Sequence, residues 1–361
     1  MAGLTQAQAG LTPEVWDDQF FKEYVRDSRF FPYEGTDENS VIHVKENLSK
    51  ARGDTLYFAL VNRLSGAGVT GRTLLEGAEE QLMSREYGLS IQTYRNAVAV
   101  TGHDEQLSAI DLRNAGKSML KLWAMELKRD QIVAALAAIN GTAFGSANAA
   151  ARNAWTADNS DRVLFAKTSN YSATHKTGVD AIVAADTFTA SKVSLMKRIA
   201  QRATPMVRPI RVDGDREYYV TFANSLAFRD LANDSTMAQA NRDARIRGVP
   251  DHPIFQGGSL MYDGVVIVEV PEIDDLAFTN ANAAPCQIAP VFLCGAQAIG
   301  VAMAKRPRST TDVRDYGFVQ GVGVQMMHGI GKVEFDASAA NDGSEKCDNG
   351  VVTGWFSAVA D

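Results

Sequence analysis

Two glycine-containing segments have the residue types and spacing of phosphate-binding turns. The first, Gly66–Gly71, reads Gly-Ala-Gly-Val-Thr-Gly, which matches the GxGxxG pattern of dinucleotide-binding turns and follows a predicted strand. In such turns the glycines let a pyrophosphate approach the N-terminus of the next helix. Here the next residues, Arg72–Glu80, form a short segment that contains Gly77 and three acids that would repel phosphate. We interpret the segment as a flexible loop and keep a dinucleotide-dependent enzyme as the alternative.

The second segment, Asn114–Ser118, ends like a Walker A loop with Gly-Lys-Ser. The first glycine of that pattern would fall at position 111, which is Asp111. The segment also lies within a predicted long helix, where the backbone N–H groups are already hydrogen-bonded and cannot bind a phosphate. We interpret the match as coincidental.

Other residues that could support catalysis or bind metal lack the necessary spacing. The sequence has no HExxH and no GxSxG motif. We therefore predict structural roles for the five scattered histidines, His43, His103, His175, His252 and His328. Three acids lack the spacing of a calcium loop, and a solvated turn is predicted for Glu272, Asp274 and Asp275. The sequence predicts no catalytic residue, cofactor or metal, and therefore a protein that is not an enzyme.

Charge and cysteine content exclude several classes of protein. The 361 residues include 43 acids and 36 bases, a net charge of −7, which disfavours a primary nucleic-acid binder. Three cysteines without a CxxC pair favour a reducing compartment over a disulfide framework or a zinc site. A basic cluster of Lys305, Arg306 and Arg308 is predicted to be a solvated loop, with contact to nucleic-acid phosphate as the alternative.

The sequence gives no sign of a secretory signal or a membrane span. The N-terminus lacks both a basic and an apolar region of the kind that signals carry. Two uncharged stretches, Leu276–Ala304 and Gln131–Ala151, are interrupted by polar residues or proline and are predicted to be buried elements. No membrane partner is expected.

The N-terminal residues are predicted to form an arm rather than a domain. Between Glu14 and Phe30 a short amphipathic run carries several aromatic side chains, among them Trp16, Phe20 and Phe21. A single short helix cannot bury so many aromatic rings by itself, so they need a partner surface on this chain or on a neighbour. We predict that these three residues make intersubunit contacts.

A long charged excursion separates two predicted strands, Thr55–Val61 and Leu89–Val100. Loops of more than about 15 residues within a compact domain are usually functional or partner-bound. Mixed charges on such a loop favour intersubunit ion pairs that fix register, with a solvated loop as the alternative. The residues assigned to these contacts are Arg63, Arg72, Glu76, Glu79, Glu80 and Arg85.

Apolar residues at three- and four-residue steps predict one long helix over 104–140, ended by Asn140-Gly141. At 1.5 Å per residue this helix would be roughly 50 Å long. The next segment, Gly141–Asp186, is rich in small polar residues and is predicted to be irregular.

The remaining sequence alternates between strand and helix signals without regular βαβ units, which indicates an α+β fold. Strands are predicted at Val265–Val270 and Gly317–Phe335. Val291–Ala304 is predicted to be either a strand or a helix. Helices are predicted at Thr189–Ala203 and Ser235–Arg247. Hairpins are predicted between Pro209–Val212 and Arg216–Phe222, and at Asn349-Gly350.

The run Leu48–Leu82, LSKARGDTLYFALVNRLSGAGVTGRTLLEGAEEQL, resembles the major capsid proteins of tailed bacteriophages, in particular those of N4-like podophages with a large virion polymerase. Four further segments fit this family in the family's order: Tyr218–Leu231, His252–Glu269, Val291–Ile299 and Asp315–Phe335. Gly141–Asp186 has no match and is treated as variable.

The resemblance implies an α+β fold of the Hong Kong 97 type. It assigns residues 1–53 to an N-terminal arm and 54–102 to an extended β-loop (E-loop). Residues 103–206 form a peripheral domain that contains the spine helix 104–140, and residues 207–335 form an axial domain. Residues 336–361 are return strands, assigned to the peripheral domain.

The resemblance also implies a structural function: a major capsid (coat) protein that self-assembles into hexamers and pentamers of an icosahedral shell around double-stranded DNA. It implies no cofactor and no active site. The expected partners are copies of the chain itself, a separate scaffolding protein, a portal protein, a decoration protein and non-specifically enclosed DNA. The expected location is the virion capsid, assembled in the cytoplasm of the bacterial host. A non-viral nanocompartment of the same fold is the remaining alternative.

Overall fold

A computed structural model describes residues 28–46, 54–61, 68–72, 74–77, 79–80, 84–108, 110–166, 171–212, 216–239, 260–336 and 345–358. They form an α+β structure divided into two compact units. In its described part, the first unit comprises residues 93–127 and 306–326. The second unit contains the described residues from 28–92, 128–305 and 327–361.

Seventeen strands lie within the described residues. In chain order they are β1 Glu34–Gly35, β2 Ile42–Lys45, β3 Thr55–Val61, β4 Ser84–Ser90, β5 Gln92–Thr101, β6 Val163–Phe165, β7 Ile210–Val212, β8 Arg216–Ala223, β9 Leu260–Tyr262, β10 Val265–Glu269, β11 Phe278–Thr279, β12 Gln287–Cys294, β13 Ile299–Arg314, β14 Val319–Lys332, β15 Glu334–Asp336, β16 Lys346–Asp348 and β17 Val351–Ser357.

Six α-helices have both of their ends within the described part of the chain. They are α1 Gly102–Leu107, α2 Leu112–Ala137, α3 Ala149–Asp158, α4 His175–Asp180, α5 Ala190–Arg202 and α6 Ser225–Asn233. Short 3₁₀ turns occur at Phe31–Tyr33, Phe144–Ser146, Pro271–Leu276 and Asp315–Gly317.

The core of the second unit is an eight-stranded mixed sheet. Its main order is β6-β17-β12-β8-β10-β9, with β11 paired to β12 and β7 paired to β8. Every residue of β17 is buried, so both faces of this strand are covered. Helix α5 covers one face with Val193, Met196 and Ala200, which recur at helical spacing and are all buried. Burying each such side chain fully stabilises the fold by about 1.5–3 kcal/mol.

Each unit also contains part of a second sheet. In the second unit β1, β2, β13 and β14 lie in that order, and in the first unit the order is β13-β14-β5. Within the first unit α2 packs closely on β5, because a Cβ added at Gly116 would lie 3.3 Å from Val98. Arg113 Nη1 also donates a 2.8 Å hydrogen bond to Gln320 Oε1 of β14.

The prediction of a single helix over 104–140 is wrong, because the structure has two helices in this region. Helix α1 ends at Leu107, where Ser108 Oγ accepts the N–H of Ile110. Asp111 Oδ1 then accepts the N–H of Asn114 at 2.9 Å, which is the bond of an N-cap, and α2 begins. Local side-chain hydrogen bonds therefore interrupt a continuous apolar pattern. The 26 residues of α2 span about 39 Å.

Several other expectations need correction. Gly141–Asp186 is not irregular, since its described residues include α3, β6 and α4. The predicted strand Leu89–Val100 is two strands, β4 and β5, and β4 already begins at Ser84. Asn349-Gly350 does not close a hairpin, because β16 pairs with β15 whereas β17 pairs with β12 and β6. Val291–Ala304 is divided between strands β12 and β13.

Other element predictions are confirmed. Strand β3 has the predicted bounds Thr55–Val61, and α5 lies within Thr189–Ala203. Strands β7 and β8 pair as predicted, although the turn Asp213-Gly214 lies outside the described residues. Of Ser235–Arg247, residues 235–239 are helical and the remainder lies outside the described residues. The division into arm, E-loop, peripheral and axial parts stays a prediction.

Candidate intersubunit surface

The long charged segment identified in the sequence connects the two strands of an antiparallel ribbon. Strands β3 and β4 pair from Thr55 opposite Ser90 to Val61 opposite Ser84. The base of the ribbon is anchored in the second unit, where Leu56, Phe58 and Leu89 are buried with Ala302. We call β3, β4 and the intervening loop the E-ribbon.

Glycines on the strands beneath let the E-ribbon approach closely. A Cβ at Gly329 would lie 2.1 Å from the carbonyl oxygen of Ser90, and one at Gly300 would lie 2.8 Å from the Phe58 ring. At Gly331 a Cβ would lie 2.5 Å from the Tyr87 hydroxyl oxygen. A side chain at Gly329 would displace the backbone of the ribbon, whereas one at Gly300 or Gly331 would displace an aromatic ring.

The far end of the E-ribbon is exposed. Apart from half-buried Val69, every described residue between 68 and 80 is exposed, including Leu74 at 77% and Leu75 at 59%. Gly68, Gly71 and Gly77 have φ angles of +70°, +72° and +85°, and nothing lies within 4 Å of where their Cβ atoms would be. Adjacent exposed leucines between charged residues are typical of a surface that a partner covers. We call residues 68–80 the ribbon tip.

The structure brings some of the predicted contact residues together. Arg72, Glu76, Glu79 and Glu80 all lie exposed on the ribbon tip, where Glu79 Oε2 accepts the N–H of Gly77 at 2.8 Å. Arg85 of β4 is instead half-buried, opposite Leu60 of β3 and close to the loop end of the ribbon. Four predicted residues lie outside the described residues: Trp16, Phe20, Phe21 and Arg63.

The first unit offers a second exposed surface. Strands β5, β13 and β14 line a groove of about 570 Å³, with Ala97, Gly321 and Gly323 leaving space at its floor. The turn between β13 and β14 exposes Tyr316 fully and Phe318 by half. Sequence reasoning missed this surface, although Gly321 and Gly323, two residues apart in β14, are a visible signal of a face with few side chains.

The apparent phosphate sites lack the structure that they require. No helix follows Gly71 within the described residues up to 80, so the turn lacks the helix N-terminus that would bind a pyrophosphate. Asn114–Ser118 lies inside α2, as predicted. Among the described residues no group of three or more His, Cys, Asp or Glu side chains could hold a metal ion. No helix in the described part of the chain is long and apolar enough to cross a membrane.

Two charged clusters differ from their predicted form. The acids of 272–275 are not simply a solvated turn, because Glu272 pairs with Arg129 at 3.3 Å and Asp274 Oδ1 accepts the N–H of Ser225 at 3.0 Å. The basic cluster Lys305, Arg306 and Arg308 lies on strand β13 rather than on a loop. Sequence spacing does not show these partners, because the acids contact residues of helices α2 and α6 that are distant in the chain.

Three of the histidines are structural, as predicted. His43, His175 and His328 are buried, His103 is exposed, and His252 lies outside the described residues. His175 is surrounded by aromatic rings, with the Trp355 centroid at 5.4 Å and the Phe144 centroid at 5.7 Å. Burial, with a smaller contribution from the Arg152 charge, lowers the pKa of His175 to about 4. Burial and the Lys128 charge lower the pKa of His328 to about 4.

With this architecture, residues 5–354 match the family described as phage capsid proteins. The chain belongs to the phage capsid protein family, and its fold is of the Hong Kong 97 type. A solved structure titled as the capsid asymmetric unit of cyanophage Pam1 is 39% identical, with a TM-score of 0.90 and coverage of 100% of both chains.

Two further relatives extend the comparison. The major capsid protein of Pseudomonas phage KPP25 is 28% identical over 375 residues, covering 95% of this chain and 94% of the relative. The capsid of Ralstonia phage GP4 is 22% identical, has a TM-score of 0.76 and covers 99% of both chains, which shows a shared fold. The resemblance to major capsid proteins of tailed phages is therefore confirmed, whereas the N4-like subgroup stays a prediction.

Proposed function

We propose that this major capsid protein forms hexamers and pentamers that close into an icosahedral shell around double-stranded DNA. The observation that carries the proposal is the E-ribbon, which is packed on glycines at its base and presents exposed leucines and charges at its tip. A subunit that acted alone would gain nothing from such a ribbon, whereas a shell subunit can lay it on a neighbour. Membership of the phage capsid family supports this assignment.

Assembly follows from several modest contacts for each subunit. A head-to-tail contact between different surfaces closes into a ring when the rotation between subunits closes. Several contacts made together stabilise a shell although each one is weak. We assign to this role the ribbon tip, with Arg72, Glu76, Glu79 and Glu80, the ribbon residues Arg63 and Arg85, and the arm residues Trp16, Phe20 and Phe21.

The charge of the chain fits DNA as contents rather than as a specific ligand. At −7 net, the subunit lacks the excess of Lys and Arg that neutralises phosphates in tight complexes. Weak binding lets DNA enter and leave a container. We therefore propose a structural rather than a catalytic role, in the virion, with assembly in the host cytoplasm.

We further propose three protein partners during assembly. A separate scaffolding protein would set shell size, a portal protein would occupy one vertex, and a decoration protein would bind the outer surface. Expression of the chain alone and together with the scaffolding protein tests the first of these. Uniform, correctly sized shells from the chain alone would contradict the need for a scaffold.

Charge reversal on the ribbon tip tests the assembly role directly. Arg72→Glu and Glu76→Lys are each expected to lower the yield of sedimenting particles while leaving the subunit folded. Asp275→Lys is the matched control, because it reverses an exposed charge on the turn Pro271–Leu276, outside the E-ribbon. Normal particle yield from both tip variants would contradict the proposal, and protein cargo instead of DNA in the particles would favour a nanocompartment.

A further inference from the structure

One buried lysine lies against a carboxylate in a site closed to water. Lys332 Nζ, at the end of β14, is 2.8 Å from Asp348 Oδ2 in β16, and the two side chains are only 1% and 2% exposed. The same ammonium lies 5.2 Å from the centroid of the Trp155 ring. Removing both charges from water is costly, and the attraction between them in a setting of low polarity offsets part of that cost.

Asp348 is held rigidly in this position. Its N–H donates to Asn159 Oδ1 at 2.8 Å, and its carbonyl oxygen accepts from the Arg162 guanidinium. The indole N–H of Trp155 donates to Oδ2 of the side chain at 3.3 Å. The carboxyl carbon therefore has a fixed place, and one of its oxygens already has a hydrogen-bond donor besides the lysine.

A second acid, Glu334, lies beside the pair. Glu334 is directly opposite Asp348 in the antiparallel β15–β16 register, which places their Cβ atoms about 4.5–5.5 Å apart. Burial raises the pKa of Glu334 to about 7; the Lys332 charge opposes this shift, and the Asp348 charge adds to it. Glu334 Oε1 and Asp348 Oδ1 are both buried without a hydrogen-bond partner, an arrangement that a proton on Glu334 would relieve.

We propose that Lys332 and Asp348 condense into an intramolecular isopeptide bond, with Glu334 carrying the proton between them. This inference is independent of the proposed shell function, because every group involved lies in one chain. It rests on the 2.8 Å contact, the burial of both partners and the cross-strand position of Glu334.

The step balances without any other reactant. Glu334 gives its proton to Asp348 Oδ1 and takes one from Lys332 Nζ, which leaves a neutral amine and a neutral carboxylic acid. The Nζ lone pair attacks Cγ, the new C–N bond forms, and the bond from Cγ to Oδ1 breaks. The departing hydroxyl leaves as water with a proton from the nitrogen by way of Glu334, which ends protonated as it began.

The geometry suits this condensation. A 2.8 Å contact to Oδ2 places Nζ about 3.5 Å from Cγ, close to the separation of near-attack conformers. The Trp155 N–H is aimed at Oδ2, the oxygen that carries negative charge during the attack. Glu334 also lines a cavity of about 320 Å³ with Glu86, Tyr87 and Lys346, into which the water can pass.

The bond would tie the end of β14 to the segment that leads into β17. Strand β17 lies between β6 and β12 in the eight-stranded sheet. A covalent ring from 332 to 348 reduces the freedom of the unfolded chain. It also prevents the C-terminal strand from being pulled away from β14 without breaking a covalent bond.

Mass spectrometry of the purified full-length chain tests the proposal. The denatured protein is expected to be lighter than its sequence by about 18 Da, the mass of one water. Trypsin should fail to cleave after Lys332 and should release a branched peptide in which Asp315–Lys346 is joined to Cys347–Asp361. The full sequence mass, or loss of water in a linear peptide, would overturn the proposal.

Two variants separate the bond from its proton carrier. Lys332→Met removes the amine and must abolish the branched peptide, and Glu334→Gln keeps the side-chain shape but removes the acid. We expect at least a tenfold loss of the cross-linked fraction in Glu334→Gln. An unchanged fraction in that variant would overturn the role of Glu334. If either variant fails to fold, the mass of the unmodified chain still decides whether the bond exists.

Discussion

The E-ribbon packs so closely on Gly329 that the effect of adding a single methyl group at this position can be predicted. In Gly329→Ala the new Cβ would lie 2.1 Å from the carbonyl oxygen of Ser90, whereas real Cβ contacts are essentially never shorter than 3.0 Å. Strand β4 must therefore move by about 0.9 Å, the difference between these distances. A gap of that size forfeits a quarter to a half of each dispersion contact beneath Leu56, Phe58 and Leu89.

Overpacking of this kind costs about 1–3 kcal/mol. Because the strain lies under the ribbon, we expect faster amide hydrogen exchange in β3 and β4 and a lower yield of sedimenting particles. The eight-stranded sheet should keep its protection, since Gly329 lies outside it.

Gly145→Ala is the matched control. Gly145 has no atom within 4 Å of its Cβ position and does not have a positive φ, so the same methyl group is added in open space. We expect normal exchange and normal assembly from it. Unchanged amide hydrogen exchange at residues 55–61 and 84–90 in Gly329→Ala would refute the close packing of the ribbon on Gly329.

Three further predictions concern the tip, the histidines and the thiols. Leu74→Asp should change the melting temperature of the subunit no more than other surface substitutions do, but it should lower particle yield at least tenfold. The control Leu74→Met should assemble normally. Equal particle yields from the two variants would contradict burial of the tip by a neighbour. Because the folded-state pKa of His175 is lowered to about 4, stability falls as pH drops from about 6.5 to about 4, by up to about 3 kcal/mol. Chemical denaturation across this pH range should show that the free energy of unfolding falls less steeply in His175→Phe than in the unmodified chain. The same pH dependence in both proteins would contradict a neutral buried imidazole. Burial raises the pKa of Cys347 to about 12, so iodoacetamide should label it only after unfolding, and rapid labelling of the native chain would contradict its burial.

Local patterns predicted some elements well. Strand β3 and helix α5 follow directly from their apolar periodicity, which tertiary contacts reinforce. The prediction that the charged segment connects two strands is confirmed, because apolar runs typical of strands flank it on both sides. The break between α1 and α2 was missed because an N-cap at Asp111 interrupts an apolar pattern that continues on both sides.

Other features depend on contacts that sequence reading cannot supply. Helix α3 lies in a small-residue segment, and its structure is supported by an Asn148 cap and the burial of Trp155. The pairing of Lys332 with Asp348 depends on the β15–β16 register, which sequence spacing does not set. The sequence of β14 shows Gly329 and Gly331 two residues apart, on one face of the strand. It does not show that Ser90, which is distant in the chain, packs against Gly329.

The most direct test of the central claim is cryo-electron microscopy of the assembled full-length protein. The account predicts closed icosahedral shells of hexamers and pentamers, with residues 68–80 of each subunit in contact with a neighbouring subunit. A discrete monomer or dimer at high concentration, or shells in which the ribbon tip touches no neighbour, would contradict it.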